Sequence, residues 1–246
     1  MSNLFHEILY RPLFNALIFL YQHLSFYDLG VAIIFLTIII RLILFPLFYK
    51  GAKDQAIIQY LAPKIKQIQT DHKNDREKQT KEILNLYRQH KVNPFSSFLL
   101  LFIQIPILIA LYQVFLKGFS VDSLKDLYSF ITPPVSLNYL FLGIIDLSKR
   151  NIFIIIIATI IQYFQAKLSS VKTNKPFKDL NAAERMNRQM VYLGPILTFI
   201  FLYGLNLPSA IGLYWLTTST FSVIQQIVIN SRININYRNS LSENRK

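Results

Sequence analysis

Between Leu29 and Phe48 the chain runs for 20 residues with a single charged side chain, Arg41, and this pattern restricts the fold more than any other in the sequence. As one continuous helix the stretch would be about 30 Å long, close to the hydrocarbon thickness of a bilayer. Four more apolar stretches follow: Phe98 to Phe115, Ile152 to Leu168, Met190 to Leu205 and Pro208 to Ile229. A chain with 52% hydrophobic and 16% charged residues would also fill a large core, but apolar residues gathered into long runs between charged segments suit a chain solvated by hydrocarbon. The sequence therefore predicts an all-α polytopic protein of the cell membrane with five transmembrane helices. The third and fourth are short, and local bilayer thinning would accommodate them.

Lys and Arg placement sets the predicted orientation. With the end of the first crossing facing the cytoplasm, residues 50–94 hold ten, residues 167–188 six and the segment after Asn230 four, so 20 of the 26 lie inside. Arg11, Lys117, Lys125, Lys149 and Arg150 lie on the opposite side. The amino terminus is thus expected outside and the carboxyl terminus in the cytoplasm. This bias and anionic lipid headgroups explain much of the net charge of +13 without DNA as a partner, while ribosomal RNA remains a polyanion such a surface would attract. With no Cys, disulfides, thiolate catalysis and a lipoprotein-type anchor are excluded.

Residues 1–28 are predicted to form a helix in the outer interface, since Leu9, Leu13, Leu17 and Leu20 recur at helical spacing in a segment too short to span. No cleavable leader is read there. Residues 29–49 carry the first crossing and residues 50–94 a cytoplasmic helical hairpin. In the hairpin Ile57, Leu61, Ile65 and Ile68 follow a helical period, and Ile83, Leu84 and Tyr87 follow the polar turn from Asp71 to Asp75. Pro63 should bend or restart the first of these helices. Forty-five residues exceed what a connection needs, so this region is expected to touch a nascent chain, a targeting factor, a translocase or the ribosome.

Residues 95–232 hold crossings two to five and an outer interfacial segment, Ser120 to Arg150, whose run Leu137 to Ile145 is too short to cross. Only Asn206 and Leu207 separate the last two crossings, which should form an antiparallel hairpin. Residues 233–246 form a basic cytoplasmic tail.

Arg41 is the most informative single residue. It falls about 18 Å along a helix from Leu29 and roughly 10 Å from Phe48, and a guanidinium at such depth costs about 3 kcal/mol or more. It either snorkels to lipid phosphate or lines a water-containing groove. Thr37 is one turn away on the same face. Gln104 interrupts an apolar half-helix before Pro106, and Gln162 occurs late in the third stretch. Trp215, Ser219, Ser222 and Gln226 share one narrow helical face, a pattern that fits a groove wall or interhelical packing. No Asp or Glu lies within the five stretches, which disfavours a carboxylate proton relay. HExxH, GxSxG, phosphate-loop and dinucleotide motifs are absent, and the four His form no metal-ligand cluster. No enzyme activity, cofactor or metal is expected.

Ordered motifs extend this reading: TIIIRLILFPL around Arg41, QYLAPKIKQIQ and LYRQHKVNP bounding the hairpin, IQIPILIALYQVF, FLGIIDLS, and GLYWLTTSTFSVIQQ near the end. From about Leu13 to Arg232 the chain resembles the YidC/Oxa1/Alb3 family of membrane protein insertases, in particular its bacterial core. The resemblance implies five spans and a hydrophilic groove open to the cytoplasm and lipid, with Arg41 at the family arginine and Thr37, Gln104 and Trp215 at groove positions. It implies a chaperone that receives hydrophobic segments of newly made proteins and releases them laterally into the bilayer. The partners it implies are nascent membrane proteins, membrane lipids, the ribosome, the signal recognition particle receptor and the Sec translocase. It does not extend to a large extracytoplasmic domain or an additional amino-terminal span. A transporter would show paired repeats and broken helices, a lipid-modifying enzyme would need reactive groups, and a purely structural bundle would leave Arg41 unexplained.

Overall fold

The computed structural model describes residues 3–117, 121–170, 176, 178, 180 and 182–243. Ser120 at the start of the expected outer segment, residues 171–175, 177, 179 and 181 of the basic connection, and the last three residues of the tail lie outside the described residues.

After a π-type turn at His6–Tyr10, helix α1 covers Arg11–His23 with Pro12 in its first turn, where the missing N–H costs nothing. Tyr10, Phe14, Leu17, Ile18 and Tyr21 recur at helical spacing and are at most 2% exposed. This face packs into the main core against Leu29, Ile33, Leu36 and Leu111, so α1 forms a wall of the bundle. Each such side chain contributes about 1.5–3 kcal/mol by burial. Phe26 and Tyr27 then take left-handed backbone (φ 54° and 61°), turning the chain to Asp28. The Asp28 carboxylate accepts from Val31 N at 3.0 Å and caps α2, Leu29–Ile43.

Pro46 ends what the sequence presents as one 20-residue helix. Lacking an N–H, and clashing with the carbonyl four residues back, it breaks the helix at Leu44. The chain restarts as α3, Phe45–Asp71, bent 71° from α2. Among the described residues no single helix is long and apolar enough to cross a membrane. Only the bent α2–α3 pair meets that measure jointly, and Phe102–Phe115 and Ile152–Leu168 are shorter apolar helices. The expectation of five transmembrane helices is therefore corrected. The multi-pass placement in the cell membrane, with the amino terminus outside and the carboxyl terminus in the cytoplasm, depended on those crossings and falls with them.

Helix α3 continues through Pro63, which is exposed. Asp75 caps α4, Arg76–Gln89, by accepting from Lys78 N at 2.9 Å. The two helices bury Leu61, Leu86 and Val92 between them. Helix α5, Ser96–Lys117, contains Pro106, and a small antiparallel hairpin pairs β1 (Leu140–Phe141) with β2 (Ile145–Asp146) through left-handed Leu142 and Gly143. The Phe141 ring lies so close to Gly30 of α2 that a Cβ there would collide with it. Asn151 caps α6, Ile152–Leu168, by accepting from Phe153 N and Ile154 N. Helix α7, Ala182–Phe199, packs chiefly on α6 and ends in a π-type turn at Ile200–Gly204. The 35-residue α8, Ser209–Glu243, occupies the centre, packed against α6, α2, α3 and α5.

Candidate functional site

Where α2, α3, α5, α6 and α8 converge they leave a cavity of about 300 Å³ open to its surroundings. Its far end is closed by packing, since Ala210, Leu213 and Tyr214 of α8 are buried against Leu36 and Leu111. From Trp215 to Gln226, about 16 Å of helix, α8 presents polar groups to the space. The other end is bounded by Phe48 and Gln55 of α3, the helix that continues into the hairpin.

Arg41 projects into this cavity yet is only 6% exposed. Its guanidinium lies 4.2 Å from the centre of the Phe48 ring, and Nη2 donates to the Thr218 carbonyl at 3.3 Å. No acidic side chain pairs with it among the described residues. Asp54, the only buried acid described, accepts instead from Ser96 Oγ at 2.5 Å, which ties α3 to the start of α5. On the facing wall Gln162 Oε1 accepts from both Ser219 Oγ, at 2.8 Å, and Trp215 Nε1, at 3.3 Å. Gln104 Nε2 donates to the Tyr214 hydroxyl, Ser222 Oγ to the Thr218 carbonyl at 3.0 Å and Gln226 Nε2 to Asn230 Oδ1 at 3.0 Å.

Seven of the eight residues singled out from the sequence, Arg41, Gln104, Gln162, Trp215, Ser219, Ser222 and Gln226, thus line one space. Thr37 does not. It is 2% exposed, and its hydroxyl donates to the Ile33 carbonyl at 2.7 Å, which satisfies it within its own helix. Gln55, Gln165 and Gln225 also line the cavity and were not anticipated. Gln165 follows Gln162 by three residues and Gln225 follows Ser222 by three, so the same helical spacing points to both; Gln55 belongs to the hairpin helix and carries no such signal. Among the described residues no group of three or more His, Asp or Glu is placed to hold a metal.

This arrangement can solvate polar and acidic groups but has no visible nucleophile or acid pair. Around it, large apolar side chains face outward: Phe102 is 70% exposed on α5, Phe153 69% on α6 and Ile196 53% on α7. Surfaces of this kind mark contact with an apolar partner.

The family described as 60Kd inner membrane protein matches residues 19–236. Relatives named membrane protein insertase YidC are 31% identical in Geobacter metallireducens, over 92% of this chain, and 32% identical in Nitratidesulfovibrio vulgaris strain DP4, over 88% of it. Geobacter sulfurreducens has another, 31% identical over 92% of this chain. The chain spans 37–38% of the length of these relatives.

Proposed function

The chain belongs to the YidC/Oxa1/Alb3 family of membrane protein insertases, and from that premise we propose that it receives hydrophobic segments of newly made membrane proteins in the Arg41 cavity and releases them laterally into lipid. The observation that carries this reading is a buried guanidinium without an acidic partner among the described residues, in a cavity walled by glutamine and serine and surrounded by outward-facing apolar side chains. A polar or acidic stretch of a client costs several kcal/mol to transfer bare into hydrocarbon. Arg41 and the water around it lower that cost while the apolar part of the client gains about 25 cal/mol per Å² on leaving water. The final step needs no nucleotide. The hairpin is the surface assigned to delivery, by the ribosome, the signal recognition particle receptor or the Sec translocase, because its two helices extend from the cavity's α3 edge.

The test reconstitutes the purified chain into vesicles and scores protease protection of newly made single-span clients, with circular dichroism to verify that each variant is folded. Arg41→Ala is expected to lower insertion of clients preceded by acidic residues by roughly tenfold, about the effect of losing one charged hydrogen-bonding partner, and to spare strongly hydrophobic ones. Arg41→Lys should retain more activity than Arg41→Ala, because an ammonium still attracts acid and holds water. Equal insertion of every client by wild type and folded Arg41→Ala would reject the electrostatic role of the cavity.

A further inference from the structure

The cavity wall carries a guanidinium with donors to spare and a buried amide nitrogen without a partner. A guanidinium offers five N–H groups, and Arg41 directs one contact to a carbonyl at 3.3 Å while its face rests on Phe48. Gln225 is 8% exposed, lines the same cavity, and its Nε2 has no hydrogen-bond partner. The buried carboxylate of Asp54 is engaged by Ser96 and forms no ion pair with Arg41. Buried charges and amide donors are ordinarily matched, so these groups define a site for an anion bearing further acceptor atoms.

Spacing narrows the chemistry. Thr218, whose carbonyl receives Arg41, and Gln225 are seven residues apart on α8, about 10 Å along the axis. A phosphodiester with a polyhydroxylated head offers acceptors at both positions, the phosphate for the guanidinium and the head for the amide. The rim supplies the rest. Leu100 and Gln104 of α5 face the cavity, while Leu99, Phe102 and Ile105 of the same helix are 51%, 70% and 42% exposed beside it. A polar interior bordered by an apolar helix face matches a molecule with a charged head and hydrocarbon tails.

We propose that the cavity binds one anionic glycerophospholipid, with its phosphate on the Arg41 guanidinium, its headgroup hydroxyls towards Gln225 and its acyl chains along Leu99 and Phe102. Guanidinium and phosphate form charge-assisted, bidentate hydrogen bonds, which explains why the Arg41 fork is left open. The inference rests on the Arg41 cavity also being the client site: lipid occupies it between clients and is displaced when an acidic client segment arrives.

Trp215 is the only tryptophan of the chain and lines the cavity, so its emission reports occupancy directly. The full chain, delipidated in a neutral detergent, is titrated with dioleoyl phosphatidylglycerol, dioleoyl phosphatidylcholine, dioleoylglycerol and inorganic phosphate, and native mass spectrometry counts the lipid retained. Phosphatidylglycerol is expected to shift Trp215 emission saturably with one lipid bound, and the other three to bind roughly tenfold more weakly or not at all. Gln225→Leu and Arg41→Gln should each weaken phosphatidylglycerol binding by about five- to tenfold, and Arg41→Lys should fall between, because it keeps the charge and loses the fork. Were Arg41→Gln not to fold, Arg41→Lys and Gln225→Leu would carry the comparison.

Equal binding of dioleoylglycerol or of phosphatidylcholine overturns the anionic headgroup site, and an equal response to inorganic phosphate reduces it to a free-anion site and overturns the lipid. Undiminished phosphatidylglycerol binding by Arg41→Lys and Gln225→Leu also overturns it. If client insertion depends on Arg41 while lipid binding does not, this proposal alone fails. If lipid binds as described but the wild type inserts no client, the insertase reading fails and the lipid site stands.

Discussion

At the scale of single residues, Asp146 shows how a short loop is held in place. Its Oδ2 lies 2.8 Å from Lys149 Nζ, and its Oδ1 accepts from Ser148 N at 3.0 Å and Ser148 Oγ at 2.6 Å. The Lys149 hydrogen bond first, and Ser148 after it, hold the carboxyl down to about 2. Its backbone carbonyl accepts from Ser209 Oγ at 3.0 Å, and the Lys149 carbonyl from Ser209 N at 2.9 Å, so the loop anchors the start of α8. A depressed carboxyl stabilises the fold above its unfolded value near 3.9, and the contribution disappears as pH falls through about 2. Asp146→Asn is accordingly expected to lower the thermal midpoint by the same amount from pH 5 to pH 7. The difference from wild type should close between about pH 4 and pH 2. A pH-independent difference in thermal scans would show that the charge is not what holds the loop.

Among the helices, α3 has two jobs. Its first turns contribute Phe48 and Gln55 to the cavity, and Asp54 fastens it to α5 through Ser96. Beyond Ile57 it packs on α4 through Leu61, Leu86 and Val92, with Gln79 Nε2 donating to the Gln69 carbonyl at 3.1 Å and His72 within 3.0 Å of Glu82. Replacing residues 58–89 with a short flexible linker should leave the cavity and bundle assembled, because every cavity contact of α3 lies before that cut. Client insertion in the vesicle assay should nevertheless fall severalfold; unchanged insertion would remove the hairpin from the delivery step. The broken junction at Leu44 makes this division possible, since the 71° bend turns α3 away from the line of α2.

For the whole molecule, stability should be unevenly distributed. The bundle core joins α1, α2, α5, α6 and α8 around many fully buried side chains, whereas the hairpin core consists of three buried residues and partly exposed neighbours. Local opening follows buried apolar contact, so amides in residues 58–89 should exchange with deuterium at least about a hundredfold faster than those at Ala32, Ile33 and Leu213. Comparable protection in the two regions would mean that hairpin and bundle open as one unit.

Local sequence was sufficient for much of this protein. Helical spacing placed Trp215, Ser219, Ser222 and Gln226 on one face, and a lone arginine in an apolar run marked Arg41, because side-chain direction in a helix follows from residue number. The ordered motifs identified the family for the same reason, each being a local pattern. Those rules do not say where a helix face meets other helices. Thr37 shares a face with Arg41 but is buried outside the cavity lining, and Gln55 reaches the site from a helix that reads as part of a separate hairpin. The leucine spacing marked a helix before Leu24, but only packing showed that Leu17 and Leu20 are buried in the core together with Tyr10, Phe14 and Tyr21. An apolar run likewise measures hydrophobicity and not helix continuity: one proline divided the first stretch, and α8 continued far past the fifth. Periodicity is a property of neighbouring residues, while closure of the cavity, the unmatched guanidinium and the exposed apolar belt arise only when distant segments pack together.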